Sequence, residues 1–233
     1  MARVRHNIAR LFFAGEAGDE KRRELVVDLK TPRFLPPSDQ AMSLPDHLNE
    51  DQHAAMRHVL RAQDYALLVG MPGTGKTTTI SELIRLLVSR GKTVLLASYT
   101  HSAVDTICKK LIRSNSADEE ATSSVDLLRL GDKSRIDSAI HPYVLADSAN
   151  VEDFEAKLLK PNVVATTCLS VGHTLFAKRS FDYCIVDEAS QVTLPTCLGP
   201  LKFAQIFVLV GDPQQLPPLL IRPAKSTSPA STG

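Results

Sequence analysis

The chain has 233 residues, of which 43% are apolar, and its formal net charge at pH 7 is +1. This length accommodates one domain of ordinary size with flanking segments, and the apolar share is enough for a sizeable core. A charge so near zero excludes a surface that coats nucleic acid through its overall field, so any such contact must come from local groups. The four cysteines lie far apart without metal-site spacing, and we expect them to be reduced core thiols of an intracellular protein.

The N-terminal residues predict a basic amphipathic helix. Three arginines and no acid occur in the first fifteen residues, and Val4, Ile8, Leu11 and Phe12 lie on one helical face. One interpretation is a mitochondrial transit peptide. The other is a helix that packs on the domain or on a partner, which the scarcity of serine and the continuation into mixed-charge sequence favour. No apolar run approaches the roughly 20 residues of a membrane span, so we expect no membrane partner.

Paired prolines separate this start from the remaining chain. Because prolines such as those in 31–46 preclude regular structure, we interpret residues 1–47 as a preceding segment and linker. Residues 48–222 then alternate short apolar runs with helical stretches, which predicts one α/β domain with a mainly parallel sheet and helices on both faces. The predicted strands are 66–69, 94–97, 127–130, 163–166, 183–186 and 206–210.

Two less regular stretches complete this outline. Residues 114–160 are polar and are expected to form a surface excursion that holds one strand and a short helix over 151–159. The last residues, 223–233, are small, polar and proline-containing, so we expect a disordered tail.

The first predicted strand leads into a glycine-rich loop. Residues 70–77 fit G-x-x-x-x-G-K-[ST] in full, between an apolar run and a helical pattern. Loop N–H groups and the helix N-terminus can bind phosphate oxygens, Lys76 can bind the β- and γ-phosphates, and the Thr77 hydroxyl can bind Mg²⁺. A chance match is the alternative, but strand, loop, helix and strand occur in the required order. The predicted ATP-binding residues here are Gly70, Pro72, Gly73, Thr74, Gly75, Lys76, Thr77 and Thr78.

An acidic pair follows the fifth predicted strand. Asp187 and Glu188 close the apolar run 183–186, which places two carboxylates at the carboxyl edge of a buried strand. There the aspartate can bind Mg²⁺ and the glutamate can accept a proton from the attacking water. For an isolated pair a solvated turn would be the better interpretation, but the apolar strand and the glycine-rich loop upstream favour the catalytic one.

The sixth predicted strand ends in a neutral amide. Gln215 follows the apolar run 206–210 and a glycine turn, where its side chain can bind the γ-phosphate or the lytic water and report the loss of that phosphate. Without the other two motifs, the sequence Gln-Gln-Leu-Pro-Pro would be interpreted as a simple polyproline exit. The predicted catalytic set is Lys76, Asp187, Glu188 and Gln215.

Together these motifs resemble those of superfamily 1 helicases, in the group that includes the nonsense-mediated decay RNA helicase. Residues 48–52 look like the Q motif of that group, which implies that Gln52 contacts adenine. The wording of four stretches is similar to that of the eukaryotic DNA replication ATP-dependent helicase/nuclease family. This resemblance implies a RecA-like P-loop NTPase fold, ATP and Mg²⁺ as ligands, and the first motor domain of a 5' to 3' DNA helicase. The four stretches are 70–80, 98–105, 164–168 and 184–191.

The resemblance also implies where single-stranded DNA binds. Thr100, His101 and Ser102 would contact the phosphodiester backbone, with Thr166 and Thr167 as weaker candidates in the next loop. Hydroxyl and imidazole groups suit this role because phosphate contacts hold a strand without reading its bases. A helix N-cap or an ordinary strand-end threonine is the alternative for each, and for Thr166 and Thr167 it is equally favoured.

In the family, a nuclease with an iron-sulfur cluster precedes the motor, and a second RecA-like domain with arginines for the ATP site follows it. We expect neither in this sequence, so the chain alone should bind nucleotide weakly, hydrolyse it barely above background and not unwind DNA. The resemblance further implies contact with replication protein A and residence in the nucleus, with mitochondria as a second compartment. Two alternatives stay open: an RNA helicase of the same group, and a non-catalytic nucleotide-binding module.

Overall fold

The computed structural model describes residues 2–13, 19–37, 43–114, 125–145, 151–173 and 175–218. The predicted tail at 223–233 lies outside them. Helices α1 to α8 span Ala2–Arg10, Glu20–Val26, Glu50–Arg61, Lys76–Ser89, His101–Ser114, Val151–Leu159, Leu175–Lys178 and Leu194–Leu201. Strands β1 to β6 span Tyr65–Val69, Val94–Ser98, Leu127–Arg129, Val163–Thr167, Phe181–Asp187 and Ala204–Gly211. In this part of the chain no helix has both the length and the apolar character that crossing a bilayer requires.

The six strands form one sheet in the order β1-β6-β5-β2-β4-β3, and every neighbouring pair is parallel. All six predicted strands are present, with ends that differ by one or two residues. The predicted α/β class with a parallel sheet is therefore confirmed. The predicted helix at 151–159 is observed as α6.

Helices cover both faces of this sheet. Successive side chains of a strand point to opposite faces, and in β2 Val94 and Leu96 join one apolar cluster while Leu95 joins another. The first cluster contains residues of α3, α4 and α5, and the second contains residues of α7 and α8. Strands buried on both sides read as unbroken apolar runs, which explains why they were predictable. All four cysteines are buried free thiols.

The segment before the domain is docked at the amino edge of the sheet. Phe34 pairs with Ala62 in an antiparallel bridge, and its ring stacks on His58 with centroids 4.6 Å apart. The Leu35 N–H donates to the Arg61 carbonyl at 2.8 Å. Residues 33–35 of the predicted linker are thus fastened to the domain, because their backbone groups pair with the end of α3 and the turn that follows it.

The first two helices are also docked. The amide of Asn7 in α1 donates to the carbonyl of Pro195 in α8 at 3.0 Å, and Leu11 is buried. Arg22 of α2 donates to the carbonyls of Leu201 and Ala204. The packed-helix interpretation thus describes α1, although Phe12 lies beyond the helix end and is 63% exposed.

Candidate functional site

The three predicted nucleotide motifs meet at the carboxyl edge of the sheet. The glycine-rich loop follows β1, the acidic pair ends β5, and Gln215 follows β6, which lies between these two strands. The Gly70 N–H donates to the Gly211 carbonyl at 3.1 Å and joins the first and third motifs. Parallel α/β sheets bind ligands at this edge, and the strand order brings groups from distant parts of the chain together there.

The loop forms a tight turn around its own lysine. Gly73 and Gly75 have backbone φ angles of 81° and 83°, which residues with a Cβ adopt only with strain. The Lys76 ammonium donates to the carbonyls of Gly70 at 2.7 Å and Met71 at 3.3 Å. A Cβ at Gly70 would lie 2.8 Å from the Thr74 hydroxyl oxygen, so a larger residue there would displace the Thr74 side chain.

Helix α4 begins directly after this loop and offers its N-terminus to an anion. Its N-cap is Gly75, and no side chain of the described residues caps the first turn. The N–H groups of that turn are therefore available to phosphate oxygens, and the helix dipole favours negative charge at the same place. The loop and helix thus fit a triphosphate as predicted from their sequence.

A cavity of about 350 Å³ adjoins the loop, and Gln52 at the start of α3 lines it. The Gln52 side chain accepts from the Asn49 N–H at 3.0 Å and donates to the Thr74 carbonyl at 3.3 Å. A Cβ at Gly75 would collide with its amide nitrogen. Gln52 is therefore held against the loop, where a nucleotide base can lie. The other lining residues are Asn49, Asp51, Ala55, Leu68, Val69, Gly70, Thr74, Lys76, Thr79 and Val210.

The acidic pair combines one buried and one strained residue. Asp187 is 6% exposed, and its burial together with the charge of Glu188 raises its pKa to about 6. The positive charge of Lys76 lowers this pKa and so acts in the opposite direction. Glu188 has a left-handed φ of 52°, which is uncommon for a residue with a side chain. A buried carboxylate at the end of a strand beside the phosphate loop suits the binding of a metal cation.

A glutamine connects the second and third motifs. The Gln191 amide donates to Glu188 Oε2 at 3.3 Å and to Gln215 Oε1 at 3.1 Å. Gly211 packs against the same turn, since a Cβ there would lie 3.0 Å from the Ser190 nitrogen. Hydrogen bonds through Gln191 therefore connect the loop that carries Gln215 with the acidic pair.

The remaining loop residues differ in what they contact. Pro72 is exposed on the loop, and Thr77 lies in the first turn of α4, half-buried. The Thr78 hydroxyl accepts from the Lys110 ammonium of α5 at 2.6 Å. Its side chain is thus engaged by a neighbouring helix and only its backbone belongs to the phosphate-facing turn.

The predicted DNA contacts at the end of β2 lie on the same edge. The Thr100 hydroxyl accepts from the Ala103 N–H at 3.2 Å, so this threonine also caps α5. Nδ1 of His101 lies 3.2 Å from the Arg129 guanidinium, and its ring is partly exposed. Ser102 is exposed. The three residues form a polar surface at the start of one helix.

Thr166 and Thr167 do not reach this surface. Thr166 is 0% exposed, and its hydroxyl has no partner within the described part of the chain. Thr167 is 3% exposed, and its hydroxyl pairs with that of Ser170 at 2.8 Å. Because both hydroxyls face the interior, the strand-end alternative describes them, and the predicted DNA contact does not fit this structure.

Sequence reasoning missed several groups at this edge. Asn49 and Gln52 form a capping box, and their spacing of three residues is a signal that could have revealed it. Gln191 stood within the second motif but received no role. Arg129 and Asp105 form a buried pair that joins β3 to α5, and no local pattern marks two residues so far apart.

Comparisons of sequence and fold with known proteins give several matches. The family model described as an AAA domain matches residues 47–157 and 146–223. DNA replication ATP-dependent helicase/nuclease DNA2 of Saccharomyces cerevisiae is 43% identical over 225 residues, with 93% of this chain and 14% of that protein covered. DNA2 of Xenopus laevis is 46% identical over 234 residues, with 92% and 21% covered. The UvsW helicase of bacteriophage T4 superposes with a TM-score of 0.47 at 15% identity, over 82% of this chain and 60% of that one.

These matches extend along most of the chain but along a small part of its relatives, since it spans 14% and 21% of the two DNA2 proteins. The family match covers the whole parallel sheet and all three nucleotide motifs. The predicted RecA-like P-loop fold is confirmed, because that sheet carries the phosphate loop directly after its first strand. The chain therefore belongs to the AAA domain family, and the resemblance to the DNA replication helicase/nucleases is confirmed.

Proposed function

We propose that this chain is the ATP-binding motor domain of a DNA helicase/nuclease that acts in DNA replication and repair. In the whole protein it would couple Mg·ATP hydrolysis to 5' to 3' movement along single-stranded DNA. The observation that carries the proposal is the meeting of the phosphate loop, the acidic pair and Gln215 at the ends of three neighbouring strands. The names of the DNA2 relatives support the DNA substrate and the ATP dependence.

The site residues divide the work of ATP hydrolysis. The loop N–H groups and Lys76 would bind the phosphates, and the Lys76 ammonium would leave the two loop carbonyls that it now contacts. Thr77 and Asp187 would hold Mg²⁺, which when bound neutralises charge that develops on the phosphates. Glu188 would accept a proton from the attacking water. This division fits the oxygen-rich donors that Mg²⁺ requires.

Two glutamines would report on the nucleotide. Gln52 lines the cavity and would bind the adenine edge, exchanging its contact with the Thr74 carbonyl for one to the base. Gln215 would contact the γ-phosphate, and its bond to Gln191 would transmit the loss of that phosphate to Glu188. The Gln52 side chain is held against the loop by its bond to Thr74, and the Gln215 side chain is held by Gln191.

Single-stranded DNA would lie along the same edge, beyond the nucleotide. Thr100, His101 and Ser102 would contact its phosphates, and the dipole at the N-terminus of α5 would favour that contact. Such contacts bind the backbone without reading bases, as a translocating motor requires.

The wider assignment rests on the resemblance and on the relatives' names. We propose a domain from 48 to 222, a second RecA-like domain that supplies arginines to the ATP site, and a nuclease with an iron-sulfur cluster elsewhere in the whole protein. Replication protein A as a partner, and residence in the nucleus and also in mitochondria, belong to the same proposal. The two further domains are supported by the length of the DNA2 relatives, of which the match covers 14% and 21%, and the partner and the compartments rest on the resemblance alone.

The whole protein's ATPase rate tests this function. We expect single-stranded DNA to stimulate the rate strongly and RNA of the same length to stimulate it less. Equal or greater stimulation by RNA would support the RNA helicase alternative. Nucleotide binding by the 233-residue chain, without ATP hydrolysis by the whole protein under any condition, would support the non-catalytic nucleotide-binding module.

A further inference from the structure

An arginine is buried beside the predicted DNA surface. Arg129 ends β3 and is 0% exposed, although its guanidinium carries a full charge. Its Nε donates to Asp105 Oδ1 at 2.8 Å, its Nη1 to the Leu130 carbonyl at 2.6 Å, and its Nη2 lies 3.2 Å from His101 Nδ1. Asp105 and His101 are one turn apart on α5, so one side chain of β3 joins both.

The chemistry of these groups decides where the His101 proton lies. A guanidinium donates hydrogen bonds and accepts none, so Nδ1 of His101 must be the acceptor. In a neutral imidazole the proton is then on Nε2. The second Asp105 oxygen accepts from the Asp137 N–H at 2.9 Å, so this carboxylate is already engaged on both sides. Within the described residues Nε2 has no protein partner, and its N–H is available to a ligand.

Protonation of His101 is opposed by its surroundings. Burial lowers its pKa first and the charge of Arg129 lowers it further. Arg135 acts in the same direction, whereas Asp105 and Asp132 oppose it. A protonated ring would also lose the acceptor that Arg129 uses. His101 should therefore be neutral at pH 7.

Stability alone is a weak reason for this arrangement. Removing a guanidinium and a carboxylate from water is costly, and an apolar pair of similar size often serves a core as well or better. The buried pair also contacts the His101 ring and can fix its orientation. This ring is partly exposed and lies in the first turn of α5.

We propose that Arg129, held by Asp105, is a positioning residue that fixes His101 as the neutral Nε2–H tautomer, whose N–H donates to a phosphate oxygen of bound single-stranded DNA. Gly131 makes room for this arrangement, since a Cβ there would lie 3.2 Å from the His101 ring and 3.3 Å from the guanidinium. The DNA contact rests on the function proposed above. The tautomer does not, because it follows from contacts inside the protein.

The tautomer can be measured without DNA. We would record long-range proton–nitrogen NMR spectra of the ¹⁵N-labelled 233-residue chain and assign His101 among the seven histidines with His101→Gln. The proposal expects an Nε2–H ring at pH 7 that stays neutral to below pH 6.5. An Nδ1–H tautomer or a charged ring at pH 7 would overturn it.

The DNA contact is tested with matched variants in the same chain. Arg129→Lys keeps the cation but loses the planar fork, and we expect it to weaken binding of a labelled oligo(dT) roughly two- to tenfold, as His101→Ala does. The two changes together should weaken binding no more than one does. The control is Arg22→Lys, which alters another buried guanidinium at the far edge of the sheet and should leave DNA binding unchanged.

The outcomes separate the positioning of His101 by Arg129 from the contact of His101 with DNA. If Arg129→Lys and Arg22→Lys both keep normal DNA affinity while His101→Ala loses it, Arg129 does not position His101. If His101→Ala itself binds DNA normally, the phosphate contact and this part of the proposed function both fail, even with the expected tautomer. If Arg129→Lys does not fold, the NMR spectrum of the unaltered chain still decides the tautomer.

Discussion

Polar side chains at the amino ends of the parallel strands are paired differently from those at the carboxyl ends. At the amino edge, charged and polar side chains are paired within the fold. Asp64 accepts two bonds of 2.9 Å from the Arg33 guanidinium, and Asp182 accepts from both the N–H and the hydroxyl of Thr93 at 2.9 and 2.8 Å. These pairs fasten the N-terminal segment and the strand starts, and they present little to a ligand.

At the carboxyl edge, the polar groups around the phosphate loop are only partly satisfied. Lys76 contacts loop carbonyls and no carboxylate within hydrogen-bonding distance among the described residues, and Asp187 is buried with a raised pKa. Glu188 sits in a strained backbone conformation. The Arg33–Asp64 pair thus stabilises the amino edge, whereas the groups around the phosphate loop at the carboxyl edge remain available for binding. The buried Arg129–Asp105 pair lies at the carboxyl edge as well, but beside the predicted DNA surface. Changes at the carboxyl edge should alter binding, and changes at the amino edge should alter stability.

Removal of the loop ammonium should have the largest effect. Lys76→Ala deletes a charge that would face the phosphates, and charge-assisted contacts of this kind correspond to roughly 10- to 100-fold in affinity. We expect that loss for Mg·ATP, measured by titration with a fluorescent ATP analogue, with little change in thermal unfolding. The control Lys92→Ala removes an exposed lysine at the amino edge and should bind normally. Normal Mg·ATP binding by Lys76→Ala would contradict the claim that the polar groups at the carboxyl edge serve binding.

The reverse pattern is expected for Asp64→Asn. Asp64 is 3% exposed, and loss of its charge weakens two bonds to Arg33, so the free energy of unfolding should fall by about 1–3 kcal/mol at pH 7. Nucleotide affinity should stay the same. Chemical denaturation measures the first quantity, and Asp28→Asn, in an exposed pair, should change it by less than about 0.5 kcal/mol.

The difference in unfolding free energy between the unaltered chain and Asp64→Asn should depend on pH in a direction that the pKa of Asp64 determines. Hydrogen bonds from Arg33 hold the pKa of Asp64 well below its ordinary value, against the opposing effect of burial. A carboxyl with a lowered pKa in the folded state contributes stability above its unfolded pKa and loses it as the pH falls. The gap in unfolding free energy between the unaltered chain and Asp64→Asn should therefore shrink below about pH 4. A gap that widens there would contradict the assignment.

Gln52→Ala should have a moderate effect at the carboxyl edge. It removes the contact to the Thr74 carbonyl and the capping bond to Asn49, and with them the side chain that would bind adenine. We expect ATP affinity to fall roughly two- to tenfold and the preference for ATP over GTP to shrink. Competition titrations with the two nucleotides measure both. An unchanged preference would remove Gln52 from the base site.

The smallest effect is expected for Thr166→Val. The buried hydroxyl has no partner within the described residues, so its replacement by a methyl group should leave stability unchanged or raise it by up to about 1 kcal/mol. DNA affinity should not change. Thr167→Val is the matched comparison, because it loses a hydrogen bond to Ser170 and should destabilise the fold. Weaker DNA binding by Thr166→Val would restore the contact predicted from the sequence.

The strands and the phosphate loop were predictable because their causes are local. Strands buried on both faces give apolar runs, and the positive φ angles at Gly73 and Gly75 require glycine at those positions. The order of the strands in the sheet could not be predicted in this way, because it depends on pairing between distant segments. Nothing near β1 in the sequence indicates that it pairs with β6, where Leu67 lies opposite Leu209.

Side-chain direction and long-range pairing account for what was missed. In β4 a threonine at the end of the strand can point inward or outward, and the sequence does not distinguish the two for Thr166. Arg129 is a charged residue within a buried strand, and only Asp105 from another element makes its burial acceptable. The docking of Arg33 on Asp64 likewise depends on a contact between separate segments, so prolines nearby suggested a linker instead.

The central claim is that Lys76, Asp187 and Gln215 surround one nucleotide. A crystal structure of the chain with Mg²⁺ and a non-hydrolysable ATP analogue tests it most directly. We predict the triphosphate against the N–H groups of the glycine-rich loop, the metal between Thr77 and Asp187, and the Gln215 side chain facing the terminal phosphate. A nucleotide bound elsewhere, or bound with Asp187 and Gln215 turned away from it, would contradict the proposed motor function.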